Sequence, residues 1–98
     1  MALSVQAYAS RIDARVDYLR TRGGEHEIDF IVHKGQDVVA VEVKLSPSPR
    51  DVDLRHLVWL RSRLGDRLRE AICVTTGARA YRRAQDSVIV VPAALLGP

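Results

Sequence analysis

The run Glu27-Ile28-Asp29-Phe30-Ile31-Val32-His33-Lys34-Gly35-Gln36-Asp37-Val38-Val39-Ala40-Val41-Glu42-Val43-Lys44 reads as one β-hairpin. Its arms are Glu27 to His33 and Val38 to Lys44, joined through Lys34-Gly35-Gln36-Asp37. Each arm alternates, so side chains two apart share a face. Gly35-Gln36 suits a type II′ turn, because glycine supplies the positive φ needed at the first central position. That turn pairs His33 with Val38, and the same register sets Asp29 opposite Glu42 and Glu27 opposite Lys44. Three acids and one lysine are then expected on one face. The other face, Ile28, Phe30, Val32, Val39, Val41, Val43 and Leu45, reads as a core.

A carboxylate pair directly across a ladder repels itself. A divalent cation would turn that repulsion into attraction, and Mg²⁺ takes oxygen ligands, often one or two carboxylates with waters and substrate phosphate. A lysine beside such a site can orient or deprotonate a water, or neutralise charge in the transition state. The competing account is a solvated strand face with Glu27 and Lys44 as a cross-strand ion pair.

The chain has 98 residues, the size of a single domain, and is 47% hydrophobic and 28% charged. This balance excludes a disordered chain and fits an ordinary folded one. The net charge of +3 is too small to imply nucleic acid by itself. Thirteen of the fifteen basic residues are arginine, the side chain suited to bidentate contact with phosphate or carboxylate. Cys73 is the only cysteine and sits in an apolar run, so it reads as a small buried hydrophobe. The three histidines are scattered, without zinc-ligand spacing. No stretch has the length of a membrane span or the order of a signal peptide, so a cytoplasmic protein without membrane contact is expected.

Leu3, Val5, Tyr8, Ala9 and Ile12 recur with a loosely helical period over residues 2 to 15. The segment lacks a good N-cap and reads as the later part of a longer, truncated helix. Val16 to Thr21 reads as a first strand, and Gly23-Gly24 as the turn into the hairpin, giving an antiparallel meander. After Leu45-Ser46-Pro47-Ser48-Pro49, a helix is expected from Pro49 to about Arg63, with Ser48 as N-cap and Gly65 as its end. Leu54, Leu57, Val58, Leu60 and Leu64 form its apolar stripe. Arg50, Arg55, His56, Arg61 and Arg63 form the other face, either solvated or phosphate-binding. Trp59 falls between the two faces, where it could cover the core edge or stack on a partner. Ala71 to Thr76 reads as a buried strand reached by a crossover, parallel to its neighbour. Ala78 to Asp86 reads as a loop or short helix, Ser87 to Val91 as a strand, and Pro92 to Leu96 as a closing turn. The order α-β-β-β-α-β-β predicts an α/β fold, a mixed sheet flanked by helices.

Asp29 on one strand and Glu42-Val43-Lys44 on the next, followed by a helix and a strand, resemble the PD-(D/E)XK nuclease superfamily. The run from Tyr18 to Phe30 and the tail, Val74-Thr75-Thr76-Gly77 through Val91 to Leu96, look more narrowly like one domain. It is the C-terminal nuclease-like domain of bacterial and archaeal AAA-type ATPases, domain of unknown function 4143. The resemblance covers nearly the whole chain. It implies a restriction-endonuclease-like fold, with residues 1–98 as a single domain.

It also implies metal-dependent phosphodiester hydrolysis on DNA. Asp29 and Glu42 would bind Mg²⁺ or Mn²⁺, with the Val43 carbonyl as a third ligand. Lys44 would position the attacking water, and Glu27 would hold Lys44 or reach the metal through water. Two features depart from the pattern. The superfamily usually adds a glutamate from its first helix, and no glutamate precedes Glu25 here. No Gly-x-x-x-x-Gly-Lys-Ser/Thr run is present, so this polypeptide does not carry the ATPase module. The alternative is a non-catalytic module that binds nucleic acid or a protein partner. Apolar sheet surface left open by a short first helix predicts a homodimer.

Overall fold

A computed structural model of the chain describes residues 15–20 and 27–96. The hairpin forms from β2 (Glu27–Lys34) and β3 (Asp37–Val43), with His33 opposite Val38 as expected. Gly35 takes a φ of +62° while Gln36 stays at negative φ, the requirement of a type II′ turn. The turn is tied down by the following strand: Arg69 Nε donates to Asp37 Oδ1 at 2.8 Å and Arg67 Nε to the Gln36 carbonyl at 3.4 Å.

The remaining strands are β1 (Arg15–Arg20), β4 (Leu68–Thr75), β5 (Tyr81–Arg82) and β6 (Ile89–Pro92). They make one six-stranded sheet in the order β1-β2-β3-β4-β6-β5. The meander β1-β2-β3 is antiparallel, β3-β4-β6 is parallel, and β5 runs antiparallel to β6. The helix α1 (Arg55–Leu64) connects β3 to β4, as a parallel pair requires. The described residues are thus a mixed α/β arrangement, with a mixed sheet and one α-helix. The helix expected near the N-terminus lies outside them.

Four expectations are corrected. First, the core lies on the face of β3 that carries Val38, Ala40 and Glu42, all buried. Leu54, Leu57 and Leu60 pack there with Ile28, Ile31, Leu68, Ala71, Cys73 and Val88. Of the face expected to be core, only Ile28 is buried; Phe30, Val32, Val39, Val41 and Val43 are half-buried and Leu45 is 90% exposed. Ile28 joins the other side because β2 holds an extra residue against β1. Asp17 pairs with Ile31 and Leu19 with Ile28, so Tyr18 faces both Asp29 and Phe30. Such a bulge lets residues three apart share a face.

Second, the helix enters through a 3-10 turn, Asp51–Leu54, whose N-cap is Arg50 rather than Ser48. Asp53 reaches back: its Oδ2 accepts the Arg50 N–H at 2.8 Å, while its own N–H donates to the Arg50 carbonyl at 3.0 Å. This satisfies donors that a helix start leaves open. Third, His56 is buried rather than set on the basic face, where Arg50, Arg55 and Arg63 are exposed. Fourth, Ala78 to Asp86 contains the two-residue strand β5. Gly65 ends α1 as expected, at a φ of +57° with its N–H on the Arg61 carbonyl.

Candidate functional site

The chemistry-bearing residues meet where β2 and β3 part. The paired register runs as far as Phe30 opposite Val41, one step short of the expected pairing of Asp29 with Glu42. Beyond it, the Asp29 carboxylate takes the place of a backbone acceptor: Val43 N–H donates to Asp29 Oδ2 at 2.7 Å. On its other side β3 stays zipped to β4, with Lys44 N–H donating to the Val74 carbonyl at 2.8 Å. A strand residue sends its N–H and C=O to the same edge, so the Val43 carbonyl leaves β3 on the Asp29 side.

Glu42 closes the stripe begun by Val38 and Ala40, and its side chain is only 6% exposed. A carboxylate in that position loses its hydration. Burial pushes the Glu42 carboxyl up to about 7, with the Asp29 charge adding to the rise and Lys44 and Arg55 opposing it. Lys44 Nζ stands 3.5 Å from Glu42 Oε1. The second oxygen, Oε2, is buried with no hydrogen-bond partner among the described residues. Cys73, paired with Glu42 across β3 and β4, is fully buried, and burial pushes its thiol up to about 11. It is therefore an inert wall beside the carboxylate, as its sequence context suggested.

Asp29, Glu42, Val43 and Lys44 are thus brought to one end of the hairpin, Asp29 exposed and Glu42 buried. Glu27 is opposite Arg20 in the β1–β2 pairing, and its side chain lies outside the described residues. Lys44 makes its described ion pair with Glu42, not with Glu27. No group of three or more His, Cys, Asp or Glu is gathered for a metal ion among the described residues.

The loop leading away from Lys44 is fastened to its neighbours. Thr76 N–H donates to the Ser46 carbonyl at 3.3 Å, and Gly77 sits so close that an added Cβ would lie 2.4 Å from the Pro47 carbonyl oxygen. Arg83, only 8% exposed, ties the loop to the β5–β6 turn. Its guanidinium donates to the Pro49 carbonyl at 3.4 Å, to the Asp51 carboxylate, and to both oxygens of Asp86 at 3.2 and 3.1 Å. Sequence reasoning left Arg83 among undifferentiated arginines. Its signal is the short span Arg83 to Asp86, which places a buried cation and its counter-ion in one turn.

No helix among the described residues is long and apolar enough to cross a membrane. No curated protein matches the chain, and no solved structure matches it. One family model does, the domain of unknown function DUF4143, over residues 1–96. Since that match spans almost the entire chain, the protein belongs to the DUF4143 family.

Proposed function

We propose that the protein is a nuclease-like domain of the PD-(D/E)XK type, acting on DNA by metal-dependent phosphodiester hydrolysis. The meander β1-β2-β3, the connecting α1 and the parallel β4 support a restriction-endonuclease-like sheet. The observation that carries the chemistry is Glu42: a buried carboxylate with one oxygen on Lys44 and the other without a partner among the described residues. A buried acceptor left open is costly, and a cation would satisfy it. The site lies at the carboxyl end of β3, beside the carboxyl end of its parallel neighbour β4, where open α/β sheets take ligands.

Asp29, Glu42 and the Val43 carbonyl would hold Mg²⁺ or Mn²⁺, an all-oxygen set suited to a hard cation. The metal, when bound, supplies Lewis acidity toward the phosphoryl oxygens. The chain's own residues do the rest. Asp29 fixes the end of β3 through Val43, Glu42 keeps the Lys44 ammonium in place, and Lys44 orients the attacking water and offsets charge developing on the phosphate. Glu27 would extend this set as a second carboxylate toward Lys44.

The alternative is a non-catalytic module that binds nucleic acid or a protein partner. It is favoured by the small number of ligands gathered among the described residues. Incubation of plasmid and branched DNA with Mg²⁺, Mn²⁺ or EDTA separates the two. Metal-dependent cutting by wild type that is lost in Asp29→Asn and Glu42→Gln supports the enzyme. Absence of cutting with salt-sensitive DNA binding supports the module, and absence of both supports a protein-interaction role.

A further inference from the structure

Beside the carboxylates, α1 and the β5–β6 turn enclose an open cleft of about 480 Å³, lined by Asp51, Arg55, Val58, Trp59, Arg83, Gln85 and Asp86. We propose that this cleft receives an unpaired nucleobase of the nucleic acid, stacked on Trp59 with its phosphate held by Arg55. The inference rests on the nucleic-acid reading above and narrows it to substrates with single-stranded or frayed segments.

Three observations carry it. Trp59 is half-buried, packing partly on the core cluster while also lining the cleft, so its indole has a fixed edge and a ligand-facing side. A planar aromatic anchored this way is the platform on which unpaired bases stack irrespective of sequence.

The opposite wall is rigid. Arg83 holds Asp51 and Asp86 together, and Asp86 Oδ1 also accepts the Val88 N–H at 3.1 Å. The cleft is therefore propped open by a buried ion network, and Gln85 at its rim adds amide groups for a base edge.

The third observation is Arg55. It lines the cleft, is exposed, and anchors one guanidinium nitrogen on the Val52 carbonyl at 3.4 Å. It also belongs to the electrostatic surroundings of Glu42. One arginine thus serves both places, so a strand whose phosphate lies at Glu42 can lodge a neighbouring base beside Trp59. Continuous duplex cannot do this without unpairing a base, which costs a few kcal/mol.

Trp59 is the only tryptophan, so its emission reports the cleft directly. The test titrates the full chain, in EDTA so that nothing is cut, with an end-labelled single-stranded oligonucleotide, an abasic strand of equal length and a blunt duplex. Label anisotropy reports binding and Trp59 emission reports stacking. The expected result is quenching by the base-bearing strand alone, with Trp59→Leu weakening its binding about ten- to a hundred-fold. Trp59→Phe should restore most of that loss, and the abasic strand should bind wild type and Trp59→Leu alike.

Strand binding without any change in Trp59 emission would overturn the cleft assignment while leaving metal-dependent cutting to be judged on Asp29→Asn. Equal losses for Trp59→Phe and Trp59→Leu would also overturn it, because a general packing defect would then account for both. Failure of every nucleic acid to bind would overturn the cleft and the nucleic-acid reading together.

Discussion

The Lys44 ammonium stands 3.5 Å from Glu42 Oε1, yet the Glu42 carboxyl is still pushed up to about 7. Desolvation outweighs the ion pair because the carboxylate sits in the core stripe of β3, whereas Lys44 remains about one-third exposed. A carboxyl that titrates near neutrality has a direct consequence for stability.

Raised from 4.5 to about 7, Glu42 binds its proton more tightly in the native chain than in the unfolded one. The stability this contributes is fully present below the unfolded value and is lost as pH rises through the folded one, amounting to about 3 kcal/mol. Urea unfolding from about pH 4.5 to about pH 8 should show that decline in wild type and a flatter profile in Glu42→Gln. Parallel profiles would contradict the burial of this group.

Asp29 has a structural role separable from any cation. Its carboxylate accepts the Val43 N–H where the β2–β3 pairing ends. Asp29→Ala should cost about 1 kcal/mol and speed hydrogen exchange at Val43. Asp29→Asn keeps an acceptor and should retain most of the stability while losing cleavage. A cleavage-competent Asp29→Asn would remove Asp29 from the metal set.

Gly77 leaves no space for a side chain against the Pro47 carbonyl. Backbone cannot give way as a flexible side chain can, so Gly77→Ala should cost about 1–3 kcal/mol, the usual range for overpacking. Thermal melting measures the loss, and reduced exchange protection of the Thr76 N–H would locate it at the Ser46 contact.

Arg83→Met should be the most damaging of these changes. It strands Asp86, whose side chain is 12% exposed, and releases Pro49 and Asp51 from the β5–β6 turn. Removing one partner of a buried pair costs about 3–5 kcal/mol. The double variant Arg83→Met/Asp86→Asn should recover part of this in denaturant melts, and no recovery would argue against the pair as the source.

The hairpin was legible from residues alone, because Gly35 sets the turn and the turn sets the register down to His33 and Val38. The parallel pairing of β4 followed from a helix placed between two strands. What alternation could not reveal was which face is buried. Both faces of the hairpin are rich in valine and isoleucine, and the period of two is broken twice. An extra residue in β2 puts Ile28 and Ile31 on one side, and an extra residue in β4, between partners of Val38 and Val39, does the same for Leu68 and Ala71. At the site, the closeness of Asp29, Glu42, Val43 and Lys44 was readable, but the inward setting of Glu42 was not. It depends on the same choice of face. The Arg83 network joins residues more than thirty positions apart, and no local pattern announces such a contact.

The bulge at Asp29 and Phe30 also bears on how copies of this chain meet. Pairing with the described outer strand β1 shifts by one residue midway along its length, and at the far rim β5 is two residues long. Neither described margin offers a straight, uninterrupted ladder to an incoming strand. Growth of the sheet by lateral recruitment of further molecules is thereby discouraged at both sides.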